Sequence, residues 1–250
     1  MSRMEITLRQ ARRLALLRGG LLRPEWTGLP HAAATRATVN ERRAHEILRR
    51  FGYLQLDTVS IAGARSHAIV LASRLEGLPT ELAEGLLRPG APIFEYWGHE
   101  ASWIPLDLYP AFEFRRRAFR RHPWWGDLIG AHPEIARRLL ERIREEGPLR
   151  SLDLEGKGGR GWWDLKLTKR VATALWSSGE LAIRERRAFQ RTFDLTERVI
   201  PAEYRERPLP EAEGLAILLR QALEGLGWAT TGTLAATWRL RNRREQILAA

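Results

Sequence analysis

Cysteine is missing from this sequence of 250 residues, and lysine nearly so. Without cysteine there is no disulfide, no cysteine-ligated zinc and no thiol nucleophile. Lysine stands only at Lys157, Lys166 and Lys169, so 38 of the 41 basic residues are arginine. No run of about 18 apolar residues occurs, and the opening Met1-Ser2-Arg3-Met4-Glu5 lacks the apolar core of a signal peptide. A soluble cytoplasmic protein with no membrane anchor is expected. The 13 prolines and 21 glycines are dispersed, so neither a low-complexity linker nor a repeat of fixed period is visible. No His, Asp and Glu spacing matches a metal site, and Gly156-Lys157-Gly158-Gly159-Arg160-Gly161 lacks the spacing of a nucleotide-binding loop. Neither a metal nor a cofactor is expected. That glycine loop could still touch phosphates of a nucleic acid.

What is present is basic and core-forming. The net charge is +11 and the hydrophobic fraction 44%, enough for a sizeable core. A balance this basic favours a polyanionic partner. Arginine adds a planar fork suited to phosphates and guanine edges. Codon usage in a GC-rich genome is the plainer explanation of the arginine excess, so that excess does not by itself establish DNA binding.

Helix signals are frequent. Thr7-Leu8-Arg9-Gln10 fits a capping box, and Gly19-Gly20 ends the helix that follows. A loop over 21–36 leads to Thr38-Val39-Asn40-Glu41, a second capping-box pattern, and a helix reaching Phe51 and Gly52. Residues 53–59, Tyr-Leu-Gln-Leu-Asp-Thr-Val, alternate in polarity and predict a short strand. Residues 63–75 read as helical, 93–97 and 102–104 as extended, and 106–121 as a helix ending in Arg115, Arg116, Arg117, Arg120 and Arg121. Pro133 opens a helix through Arg144, and Ser151 is placed to cap a short helix over 152–155. A longer helix over 163–177 closes at Gly179, before a hairpin of 181–187 and 188–195. Three helices and a hairpin make a winged-helix pattern. Helices over 211–226 and 231–238 and a third from Arg241 resemble the start of another such unit, without its hairpin. The expected fold is mainly α with short β-hairpins (α+β), in tandem winged-helix units of which the last is incomplete. The expected regions are 1–125, 126–205 and 206–250, the first carrying the chemistry.

Five pieces of the sequence, in order, resemble the winged-helix DNA glycosylases of the YcaQ/AlkZ type. They are Ala11-Arg12-Arg13-Leu14-Ala15-Leu16; residues 52–60, Gly-Tyr-Leu-Gln-Leu-Asp-Thr-Val-Ser; Arg65-Ser66-His67 with Leu71-Ala72-Ser73-Arg74; residues 94–102, Phe-Glu-Tyr-Trp-Gly-His-Glu-Ala-Ser; and Gly161-Trp162-Trp163-Asp164 leading on to Phe189-Gln190-Arg191 and Asp194 to Pro201. The resemblance implies tandem winged helices followed by a C-terminal β-barrel. It also implies hydrolysis of the N-glycosidic bond of N7-alkylated purines, including the unhooking of interstrand crosslinks. The family's catalytic signature is Gln, an apolar residue, then Gln or Asp. Here Gln55-Leu56-Asp57 has the form with Asp. Relatives continue past residue 250, which implies a chain cut short within a third winged helix. The implied partner is double-stranded DNA carrying alkylated bases, met by a monomer associated with the nucleoid.

On a strand, residues i and i+2 share a face, so Gln55 and Asp57 would project together while Leu56 enters the core. A carboxylate beside an amide suits a water held against C1′ of the sugar. A cap or a pairing role at a strand end is the plainer reading of the same two residues. No lysine is placed near Gln55 to form a Schiff base, so a monofunctional glycosylase is expected. Tyr53, His67, Glu95 and His99 are possible site-lining residues. Each also has a structural reading: core packing for Tyr53, hydrogen bonding for the histidines, a solvated strand carboxylate for Glu95. Lys166, Lys169 and Arg170 on the expected recognition helix, with Arg184, Arg186 and Arg187 on the wing, are the expected DNA-binding residues. Trp97, Trp103, Trp124, Trp125, Trp162 and Trp163 read as core rather than as stacking platforms for bases. Two further readings stay open: a non-catalytic winged-helix regulator, and an inactive fragment of a glycosylase.

Overall fold

The computed structural model describes residues 5–60, 63–154 and 162–249, and of 162–166 the backbone alone. Its architecture is α+β: helices with small antiparallel strand pairings. No helix among the described residues is long and apolar enough to cross a membrane. The chain divides into two compact units, and both are discontinuous in sequence. One consists of Met1–Leu86, Gly98–Pro105 and Leu215–Ala250, the other of Leu87–Trp97 and Leu106–Gly214. These limits run differently from the linear boundaries expected near residues 125 and 205.

In the first unit, the helix Leu8–Arg18 starts on the expected capping box. The Thr7 hydroxyl accepts from the Gln10 amide N–H, and Gln10 Oε1 accepts from the Thr7 N–H at 2.8 Å. The second expected box does not form. The helix Ala37–Phe51 begins before Thr38, with no side-chain cap. Asn40 lies inside its first turn and bonds backward, accepting from Ala34 N–H at 2.6 Å and donating to Ala34 O at 2.9 Å. The intervening loop contains a turn of helix, Pro24–Thr27. Ala44, Ile47 and Leu48 bury the inner face of Ala37–Phe51, and Gly52 ends it at φ +81°, a left-handed conformation that suits glycine. The chain then enters the strand Leu54–Gln55, which pairs antiparallel with Ala101–Pro105 in the register Leu54 to Trp103 and Gln55 to Ser102. The helix expected over 63–75 is shorter, Ser66–Ala72.

The end of the chain packs into this same unit. Glu211–Leu226 crosses into it at Leu215, and Thr231–Thr237 and Arg244–Ala249 complete it. Trp238 is fully buried there, donates its indole N–H to Leu218 O and lies 5.2 Å from the Tyr53 ring. The C-terminal helices therefore build the unit that carries the candidate strand.

The second unit is centred on the helix Trp162–Ser178 and a three-stranded sheet. Leu149–Arg150 pairs with Gln190–Leu195, which pairs with Leu181–Arg187, all antiparallel. The expected helix over 152–155 is absent from its described part. Residues 151–154 form a turn, in which buried Ser151 donates its N–H to Arg191 O at 2.9 Å. The hairpin turns at Ala188 and Phe189, both at positive φ (46° and 63°), the two-residue geometry that matches strand twist. The helix expected over 106–121 divides into 3-10 turns, Leu106–Phe112 and Phe119–Arg121, around one short α-helix, Glu113–Ala118. Pro110, which has no N–H to donate, lies inside the first turn. Pro133–Glu146 forms as expected.

Candidate active site

Asp57 lies just past the strand rather than on it, because the ladder ends after Leu56 donates its N–H to Ala101 O at 2.8 Å. The alternation survives the end of the strand. Leu54 and Leu56 are buried; Gln55 is exposed, and Tyr53 and Asp57 are half-buried. Gln55 and Asp57 thus share the open side of a segment anchored on its other side by two leucines. Asp57 Oδ1 accepts the Val59 N–H at 3.0 Å, a local turn that fixes the carboxylate and leads the backbone away. The Ser66 hydroxyl donates to Gln55 O at 3.2 Å, tying the strand to the start of the next helix.

The four possible lining residues have different fates. Tyr53 leans on Trp238, and burial raises its phenol pKa. His99 keeps partial exposure, with Nδ1 2.8 Å from Ala236 O. Its neighbour Glu100 pairs with Arg239. His67 is fully buried, edge-on to Trp103 at 4.8 Å, so it belongs to the core of the first unit rather than to an open surface.

Glu95 corrects the expectation of a solvated carboxylate. Its side chain is wholly buried in the second unit and holds two arginines. Arg186 donates from Nε at 2.6 Å and from Nη2 at 2.7 Å, and Arg191 donates from Nε at 2.6 Å. Burial pushes the Glu95 pKa up, but Arg191 and Arg186 outweigh it and hold the carboxyl below its ordinary range. Arg191 also lies over the Trp176 ring at 4.2 Å, and Trp176 donates its indole N–H to Glu95 O. Arg191 was not anticipated. Nothing local in a sequence reveals a pairing between residues 96 positions apart.

The same cluster reassigns Arg186. Only 6% of its side chain is exposed. Besides gripping Glu95, it donates to Phe189 O at 2.9 Å and covers the Phe189 ring, so its guanidinium anchors the hairpin tip and is not available to DNA. Arg184 is partly exposed and paired with Asp194 at 3.2 Å; Arg187 is exposed, beside Glu185. Lys169 and Arg170 are exposed on Trp162–Ser178, opposite the buried Val171, Ala172 and Leu175. The Lys166 side chain and the glycine loop at 156–161 lie outside the described residues. Among the tryptophans, Trp103 is core, as read from the sequence; Trp124 is not, at 53% exposure.

A cleft of about 490 Å³ opens in the second unit, with Arg116, Arg117, Arg120 and Arg205 facing Glu113, Glu180 and Glu197. None of the expected site residues lines it. Among the described residues, no group of three or more histidines and carboxylates is placed to hold a metal.

The AlkZ-like DNA glycosylase family matches residues 48–250 of the chain. The chain belongs to that family. The match takes in the candidate strand, the aromatic segment after it, the hairpin and the C-terminal helices. As a member of the AlkZ-like family, the chain is a DNA glycosylase by descent, with DNA as the partner. No solved structure matches it.

Proposed function

We propose that the chain removes alkylated purines from duplex DNA by hydrolysing the bond between the base and C1′, with Asp57 and Gln55 as the reacting pair. The observation that carries this reading is their shared open side, fixed by Leu54 and Leu56 in the core. Water adds to C1′ as the bond to the purine breaks, and the electron pair of that bond leaves with the base. Asp57 takes the proton of the water and opposes the positive charge developing on the sugar. The Gln55 amide accepts a hydrogen bond from the same water and orients it. An N7-alkylated guanine is already cationic and leaves without protonation, which is why one carboxylate suffices.

In this reading the second unit is a winged helix. Its short strand Leu149–Arg150 pairs with the return strand of the wing, and Trp162–Ser178 is the recognition helix. Lys169, Arg170 and Arg187 grip phosphates and position the duplex without reading its sequence. The protein acts as a monomer, and interstrand crosslinks through N7 of guanine fall within the same chemistry.

The test is release of N7-methylguanine from alkylated duplex DNA by the parent chain and by Asp57→Asn. The variant should lose roughly 10²- to 10⁴-fold in rate with an unchanged melting temperature. Equal release by both removes Asp57 from the chemistry. A parent chain that binds duplex but releases no base points to a non-catalytic regulator.

A further inference from the structure

The turn over residues 122–126, His-Pro-Trp-Trp-Gly, is built as a small rigid mount. His122 donates its N–H to Gly126 O at 3.0 Å and receives the Gly126 N–H at 2.9 Å. Gly126 closes the turn at φ +66°. The His122 imidazole stacks on the Trp125 indole at 3.5 Å with the planes 3° apart, and its Nδ1 accepts the Trp124 N–H. Trp124 stands edge-on to Trp97 at 5.6 Å, and Trp97 is pinned by its own N–H to Ser177 Oγ at 2.8 Å. Above these contacts Trp124 itself is 53% exposed.

The segment leading into this turn is rich in arginine. Arg117, Arg120 and Arg121 precede the turn, all exposed. Arg117 and Arg120 lean on Glu113 and Glu180. Arg121 stands next to His122 in the chain, at the base of the turn. An exposed aromatic ring that follows an arginine-rich segment suits a nucleic acid strand: a base stacks on the ring while guanidinium groups hold flanking phosphates. Stacking of this kind tolerates any base, which suits an enzyme that must act in any sequence context.

We propose that Trp124 is a base-stacking contact for DNA, with Arg121 as its phosphate partner. This inference rests on the glycosylase reading only for its ligand, duplex DNA, and is independent of the chemistry at Asp57.

The experiment is equilibrium binding of the full chain to a fluorescent duplex, one intact and one carrying an abasic site, over a salt series. Trp124→Ala should weaken binding to the abasic duplex by roughly tenfold or more, and Trp124→Phe should restore most of it. Arg121→Ala should weaken both duplexes alike and lower the salt slope by about one. If Trp124→Ala binds both duplexes like the parent, the inference is wrong. If it weakens binding but Trp124→Phe does not recover it, stacking is wrong. A parent chain that binds neither duplex removes the DNA ligand, and both readings fall together. Base release by Asp57→Asn tests the chemistry alone and leaves the binding result standing.

Discussion

Asp57 and Glu95 are two carboxylates presented by extended segments, and their surroundings give them opposite characters. Glu95 is enclosed and saturated by Arg186 and Arg191. Removing either side of such a buried set leaves uncompensated charge, so its role is structural. Asp57 keeps one oxygen on a local N–H and stays partly open. Sequence patterning distinguishes them only in part. The alternation around Asp57 is legible from four neighbours, whereas the partners of Glu95 come from more than ninety residues away and leave no local mark. Among the titratable groups, His122 has the clearest consequence for pH. Burial pushes its pKa from the usual 6.5 down to about 4. Between those values the unfolded chain binds a proton that the folded chain refuses. The contribution of His122 to stability is therefore complete above pH 6.5 and is lost as the pH falls toward 4. A proton on Nδ1 would also displace the Trp124 N–H that it accepts. NMR titration of the His122 ring should place its midpoint near 4; a midpoint at the ordinary value would contradict the buried stack on Trp125.

Elements with strong end signals were legible: the Thr7 capping box, the stop at Gly52, the Pro133 start, and the hairpin of Leu181–Arg187 with Gln190–Leu195. The Thr38 box failed because the helix starts earlier, with Arg36 at the N-cap and Thr38 already inside the first turn, a boundary that the four-residue pattern does not encode. The strand read over 53–59 came out as two residues because only Leu54 and Gln55 have partners in the ladder with Ala101–Pro105. Gly52 is the element boundary on which the candidate site depends. A Cβ there would come within 2.8 Å of Gln221 Cγ and 3.2 Å of the Trp238 ring, at a φ of +81° that alanine resists. Gly52→Ala should lower stability by about 2 kcal/mol in a urea titration. A variant as stable as the parent would show that the strand entry is not fixed by this residue.

At the scale of the molecule, composition was informative about the partner and silent about connectivity. The net charge of +11, nearly all carried by arginine, fits a DNA partner. Duplex binding should therefore fall linearly in log–log form with salt, by roughly 10³-fold or more between 50 and 200 mM if six or more phosphates are contacted. Binding that is flat across that range would mean the charge is not aimed at the duplex. The interleaving of the two units was hidden from the sequence, because the helices after residue 214 have ordinary amphipathic patterns that name no partner. Long-range packing around Trp238, not periodicity, assigns them to the first unit.

That interleaving bears on how the protein is made. A ribosome delivers the strand with Gln55 early, but Trp238, against which Tyr53 settles, only after residue 214. Nascent chains usually mature from the front. Here the unit formed by Leu87–Trp97 and Leu106–Gly214 is fully synthesised first, while the leading segment waits, unfinished, for its closing piece.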